Sequence, residues 1–160
     1  IETPFAISET NHALIQRAIE VISQETGLVG LNSLDFIIDD SDQLYILEIN
    51  PRPSASSELD TDKLLFQHHI QACQKQSSGY TPTNSPHHVG LYYLFAPHRM
   101  LIPDNMVWPE HCHDLPAAGT IIESHQPICT LIISDIDHAH CHQRQQVLSK
   151  EILSQLITNN

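Results

Sequence analysis

Glycine is scarce in this chain: five residues in 160 (Gly27, Gly30, Gly79, Gly90, Gly119), with no two placed to form GxGxxG or GxxxxGK. A Rossmann fingerprint and a Walker loop are therefore excluded. Lysine is scarcer still, with only Lys63, Lys75 and Lys150. Lys and Arg together number 7 against 19 Asp and Glu, a net charge of −12. Nucleic-acid grooves and anionic membrane surfaces need clustered cations, so the chain is expected to bind neither. No apolar run approaches the ~20 residues of a membrane span. The four cysteines (Cys73, Cys112, Cys129, Cys141) show no CxxC spacing, which argues against a zinc ribbon or a redox motif. Their scatter fits free thiols in a reducing compartment, hence a cytoplasmic protein, with two disulfides as the alternative.

What the chain has is a globular balance, 41% hydrophobic and 16% charged, at a length that suits one domain with a real core. Twelve histidines could cancel the acidic excess when protonated, so solubility should fall below about pH 6.5. Three blocks follow one another. In the first, Thr10 or Asn11 caps a helix with Leu14, Ala18, Val21 and Ile22 at helical spacing, and Gly27 closes it. LNSLDFII and LYILEIN then read as two strands joined by the turn-rich DDSDQ, a β-hairpin ended by Pro51 and Pro53. In the second block PRPSASSELD leads into a helix, KLLFQHHIQACQK, capped by Asp60 or Thr61. The stretch QSSGYTPTNSP is the best internal boundary, dividing the chain into 1–78 and 79–160. The third block is strand-like over VGLYYLFA, RMLIP and GTIIESHQPICTLIISD. It closes with a helix from about His140 to Thr158 bearing Val147, Leu148, Ile152, Leu153, Leu156 and Ile157. The class is α+β.

The segment that carries chemistry is GLNSLDFIIDDSDQLYILEINPRPSAS. Strand alternation puts Glu48 and Asn50 on one face. If Asp39 pairs with Leu44, Asp35 lies opposite Glu48 and Ser33 opposite Asn50; a slip of one residue would send Asp35 to the other face. Directly opposed carboxylates repel, and a sheet tolerates them best with a cation between. Two carboxylates and an amide oxygen suit Mg²⁺ or Mn²⁺. The Arg52 guanidinium, two residues on, matches a phosphate or acyl phosphate. A plain polar face in solvent is the alternative for the trio, and a surface ion pair for Arg52. Ser54 and Ser56 are candidate substrate neighbours, with ordinary loop and cap residues as the alternative.

At Asp35-Phe36 and Glu48-Ile-Asn50-Pro-Arg52 the sequence resembles the ATP-grasp superfamily, in the branch of biotin carboxylase and carbamoyl phosphate synthetase. The run SASSEL is similar to the serine-rich continuation in the synthetase, and GTIIESHQPICTLI resembles the β-rich C-terminal part of biotin-carboxylase-like ligases. The resemblance implies the C-terminal part of an ATP-grasp fold: helix, antiparallel hairpin, helix, then a β-rich segment and a terminal helix. It implies that Asp35, Glu48 and Asn50 hold Mg²⁺ on the β- and γ-phosphates of ATP, and that Arg52 steadies an acyl phosphate. The substrates would be a small-molecule carboxylate and an amine, with cofactor biosynthesis as a lead. The lysines, adenine hinge and glycine-rich flap of the first grasp lobe have no match here, so that lobe is expected elsewhere in the same protein or in a partner chain. Ser33 stands where several family members have Arg. The family's glutamate four residues after the arginine would fall at Ser56, with Glu58 two residues off register.

Two other readings differ in class. One is a non-catalytic, degenerate ATP-grasp module that binds a partner or a metal. The other is a zinc-binding module built from His111-Cys112-His113 or from Asp137, His138, His140, Cys141 and His142, in which only His138 and His142 have the i, i+4 spacing that converges on a helix. His68 and His69 read as helix-face and core residues. Trp108, Tyr92 and Tyr93 read as core and sheet residues of the third block.

Overall fold

The computed structural model describes residues 1–60, 62–76 and 87–158. Thr61 and, but for Gln76, the expected boundary segment lie outside the described residues. The chain divides into two units, Ile1–Pro4 with Asn84–Asn160, and Phe5–Thr83.

The second unit opens with helix α1 (Glu9–Thr26). Its cap is Ser8, whose hydroxyl accepts from the Asn11 N–H, and not Thr10 or Asn11 as the sequence suggests. An acidic Glu9 in the first turn favours the same start. Gly27 ends the helix at φ 69°, its N–H donating to Ser23 O, as the C-terminal glycine rule requires. The inward stripe also differs from expectation. Asn11 is buried and Ile15, Ala18 and Ile22 are half-buried, whereas Leu14 and Val21 are exposed. An asparagine heads this stripe because its Nδ2 donates to Asp42 O and Oδ1 at 3.0 and 2.8 Å, pinning the helix start to the hairpin turn.

Strands β2 (Ser33–Ile38) and β3 (Leu44–Asn50) form an antiparallel pair with no further strand among the described residues. Pro51-Arg52 follows, then a single 3-10 turn (Ala55–Leu59) and helix α2 (Leu65–Cys73). The cap of α2 is Leu64, not Asp60 or Thr61 as the sequence suggests, and it makes no side-chain cap hydrogen bond; the Asp60 carboxylate still accepts from the Leu65 N–H at 2.8 Å, from five residues upstream.

The other unit holds the core. Strand β1 (Glu2–Thr3) pairs with β4 (His88–Phe95), β4 with β8 (Pro127–Asp135), and β8 with β6 (Cys112–His113), all antiparallel. β8 is central in this sheet, and Ile128, Cys129, Thr130 and Leu131 are buried in succession, as a strand covered on both faces demands. A second sheet joins β5 (Met100–Leu101) to β7 (Ile121–Ile122) and β9 (Ile157–Thr158). Helix α3 (His138–Gln155) stops before the end expected for it, and Ile157 instead pairs with Leu101. Its buried line runs through Cys141, Ser149 and Ile152, while Val147 is exposed. Leu131, Ile133 and Ile152 are wholly inaccessible. Tyr92 and Trp108 pack against this core, and Tyr93 is an exposed residue of β4.

Candidate metal and phosphate site on the hairpin

The β2–β3 register decides what this site can be. Ser33 lies opposite Asn50, Leu34 opposite Ile49 and Asp35 opposite Glu48. Beyond that point the pairing shifts by one, to Phe36–Ile46, Ile37–Tyr45 and Ile38–Leu44. Asp39 therefore does not face Leu44 as the sequence count assumes; it closes the turn, donating its N–H to Gln43 O at 3.1 Å. Leu47 is the extra residue, a bulge that restores the Asp35–Glu48 pairing. The turn is held by Asp39, whose Oδ1 accepts from the Ser41 and Gln43 N–H groups at 2.9 and 3.0 Å and whose Oδ2 accepts from Tyr45 Oη at 3.2 Å. The backbone donors, Gln43 first, hold the Asp39 carboxyl below the usual carboxylate range.

With this register Asp35, Glu48 and Asn50 share one face. Asn50 Nδ2 donates to Glu48 Oε1 at 3.0 Å and to Asp35 Oδ2 at 3.3 Å. The amide thus supplies the positive end of a dipole between two like charges. Turning that amide by half a rotation exchanges its nitrogen for its oxygen. The trio then presents oxygen only, the donor set that hard divalent cations take. Asp35 and Glu48 are exposed, so solvent or phosphate oxygens can complete such a shell.

Arg52 is exposed on the turn after β3, and its Nη1 donates to Pro53 O at 3.3 Å. No contact of its guanidinium with the trio is present. Ser54 and Ser56 stand hydroxyl to hydroxyl at 2.7 Å, and the Ser57 hydroxyl donates to Ser54 O. Two supports of the site escape a motif-based reading. His69 Nδ1 accepts from the Leu31 N–H at 3.0 Å, tying α2 to the segment that enters β2. Gly30 lies against that imidazole at φ +74°, and a Cβ there would collide with it. The signal was available only as a glycine three residues ahead of a strand, which by itself has many causes.

The histidine-rich segments are otherwise engaged. Cys141 is buried, its thiol directed at His88 O and Ile133 O. His138 Nδ1 contacts Glu2 Oε2 at 3.1 Å, His140 Nδ1 contacts Asp137 Oδ1 at 2.8 Å, and Arg144 donates to His111 Nε2 at 2.6 Å. Among the described residues no three His, Cys, Asp or Glu side chains are grouped so as to hold a metal ion. No described helix is long and apolar enough to cross a membrane.

One comparison with known proteins falls on this region, and others span nearly the whole chain. Residues 2–56 match the family model described as an ATP-grasp domain. No match was found among the curated proteins. Among solved structures, N5-carboxyaminoimidazole ribonucleotide synthetase from Thermotoga maritima aligns at TM-score 0.67 with 14% identity, over 99% of this chain and 45% of that one. The Staphylococcus aureus N5-carboxyaminoimidazole synthetase complexed with ADP aligns at TM-score 0.60 with 20% identity, over 96% and 41%. An L-amino acid ligase from Bacillus licheniformis aligns at TM-score 0.66 with 14% identity, over 99% and 44%. The chain spans less than half the length of each of these proteins. Residues 2–56 thus match an ATP-grasp domain model, and the chain as a whole has part of an ATP-grasp fold.

Proposed function

We propose that this chain is the metal-binding, C-terminal part of an ATP-dependent carboxylate–amine ligase. The observation that carries the reading is the convergence of Asp35, Glu48 and Asn50 on one face of a hairpin inside the segment matched as an ATP-grasp domain. Two of the similar structures bear the names of a synthetase and a ligase, and another was obtained with ADP. In this reading residues up to 78 form the lobe that holds the trio, and 79–160 form a β-rich subdomain. Bound Mg²⁺ or Mn²⁺ supplies charge neutralisation at the β- and γ-phosphates.

Asp35, Glu48 and Asn50 would hold that cation, and the exposure of the two carboxylates would leave room for triphosphate oxygens beside them. The γ-phosphoryl group passes from ATP to a carboxylate oxygen, giving an acyl phosphate and ADP. The Arg52 guanidinium, free to swing from Pro53 O, pairs with the acyl phosphate in bidentate fashion. Attack by an amine forms the amide, releasing inorganic phosphate and the amine proton. Ser54 and Ser56 line the substrate's approach. The work is that of a cytoplasmic enzyme of small-molecule metabolism, with cofactor biosynthesis as its setting, and the adenine-binding lobe comes from elsewhere in the same protein or from a partner chain. Asp35→Asn and Glu48→Gln in the complete enzyme should each abolish ATP-dependent turnover. Near-normal rates in both variants would overturn the assignment.

One observation favours a second reading, a non-catalytic module: Asn50 already satisfies both carboxylates without a cation. Titration with Mn²⁺ followed by water-proton relaxation separates the two. A saturable site lost in Asp35→Asn supports the ligase, and the absence of such a site supports the binding module.

A further inference from the structure

Where β1, β4 and α3 meet, a polar cluster lies wholly within the unit that holds the core. Glu2 of β1 serves two neighbours: its Oε1 accepts from Tyr92 Oη at 2.7 Å, and its Oε2 lies 3.1 Å from His138 Nδ1. His88 of β4 is the fourth member, its ring centre 4.3 Å from that of His138 and the two planes at 82°. A carboxylate facing one ring nitrogen keeps the proton on that nitrogen. Neutral His138 is therefore the Nδ1–H tautomer, and its Nε2 carries a bare lone pair. That Nε2 is buried with no hydrogen-bond partner, and so is His88 Nδ1. Leaving such atoms unpaired is costly, and few occur in native proteins. One cation that takes nitrogen ligands would satisfy both.

We propose that His138 Nε2 and His88 Nδ1 are ligands of Zn²⁺, with Glu2 as the carboxylate that orients His138 and water in the remaining positions. The order metal, imidazole, carboxylate is the usual one behind a zinc-bound histidine, and it sets both tautomer and ring orientation. Two nitrogens held by one tetrahedral zinc at about 2.0–2.1 Å lie about 3.3 Å apart, which ring centres 4.3 Å apart allow. The His138 side chain keeps 39% of its surface open, so the ion and its waters have a way in from solvent. Neutral imidazole selects zinc over Mg²⁺, which takes oxygens. Among the described residues no third His, Cys, Asp or Glu joins the pair as a ligand group. Cys141 turns its thiol to backbone carbonyls, and His142 meets Gln146. The bound ion would tie β4 to the first turn of α3 and, through Glu2, to β1. None of these residues belongs to the hairpin trio, so the site is independent of the ligase reading.

The test is long-range proton–nitrogen NMR of the native protein, isotope-labelled at histidine and titrated with Zn²⁺. The expected result is that the first equivalent shifts His138 Nε2 and His88 Nδ1 together, while His138 Nδ1 keeps its proton. Mg²⁺ in place of Zn²⁺ should move neither resonance. Calorimetry then reads the affinity. His88→Gln and His138→Gln should each lower it by at least about tenfold, Glu2→Gln by about 10–100-fold, and Asp35→Asn not at all. A first equivalent that goes to other histidines, or no shift at either ring, overturns the proposal. So does an affinity that Glu2→Gln and His138→Gln leave unchanged. The NMR result is read on the unaltered protein, so it decides the matter even where a variant fails to fold. Loss or retention of Mn²⁺ binding at the hairpin bears on the ligase reading alone.

Discussion

Replacing Glu48 by Gln should stabilise the metal-free protein while removing its response to Mg²⁺. The Asp35 and Glu48 carboxylates each lie within 3.3 Å of the same Asn50 nitrogen, so they stand near one another. Two unit charges about 5 Å apart repel by about 0.8 kcal/mol in water and about 3 kcal/mol at the effective dielectric of a protein surface. Exposure of both side chains places the pair near the lower figure, and the Asn50 amide offsets part of it. Glutamine keeps an oxygen that can accept from Asn50 and deletes one charge. A gain of about 0.5–1 kcal/mol is therefore expected in low salt, fading as screening shortens to about 3 Å in 1 M salt. Magnesium at a hundred times its dissociation constant should stabilise the parent by about 2.7 kcal/mol and the variant hardly at all, so the order of stabilities inverts. Urea unfolding of both proteins, with and without Mg²⁺, at low and high salt, reads all of this. A variant no more stable than the parent without metal, and equally responsive to Mg²⁺, would refute the reasoning.

Ile152, inaccessible in α3, fills the core of the larger unit, and Ile152→Ala should cost about 2–5 kcal/mol, seen as a lower urea midpoint by circular dichroism. Under native conditions one thiol in four should react quickly with an aromatic disulfide: Cys73 is exposed, whereas Cys112, Cys129 and Cys141 are buried and their thiols are pushed up by burial, Cys129 to about 12. Unfolding in guanidinium should release the other three. The start of α3 should be firmest in a window of mild acidity. Hydrogen bonds from the His140 N–H and ring lower the Asp137 carboxyl, so its contribution is present above about pH 4 and is lost on acidification. His140 is raised by Asp137, so its contribution is full below about pH 6.5 and is lost as pH rises through the elevated value. Amide exchange at His140 should be slowest between those limits, and Asp137→Asn should flatten the profile.

The sequence carried the hairpin well, because alternation and turn chemistry are both local signals. Asp35 does face Glu48, yet the counting that led there assumed an unbroken ladder. The bulge at Leu47 is not legible in a run such as LYILEIN, where any residue could be the extra one, and it compensates a turn that is one residue shorter than the simple count assumes. Helix faces were less legible. Leu14 and Val21 have the spacing of core residues, but the inward side of α1 is chosen by Asn11 reaching Asp42, a long-range polar contact with no periodic trace. The end of α3 failed for the same kind of reason: Leu156 and Ile157 continue an apolar helical pattern, and only pairing with Leu101 makes Ile157 a strand residue. At the candidate site the donor types were readable, while their mutual satisfaction through Asn50, and the Gly30–His69 contact behind them, depend on the folded backbone.

The pairing of β1 with β4 also makes the order of folding events matter. Glu2 faces Gly90, and its carboxylate accepts from Tyr92 Oη at 2.7 Å, across a separation of ninety residues in the chain. Closing so long a loop is slow when the intervening chain is a coil, because its entropy is lost before any contact compensates. The intervening stretch is the hairpin-bearing unit, whose own ties, Asn11 to Asp42 and Leu31 to His69, span 31 and 38 residues. Once that unit has condensed, less coil entropy is left in the chain between the two strands, and their pairing costs correspondingly less. Prior folding of Phe5–Thr83 would thus aid a sheet to which it contributes no strand, and Gly30→Ala, which drives a Cβ into the His69 ring, should slow the pairing of residues 2–3 with β4 in stopped-flow refolding.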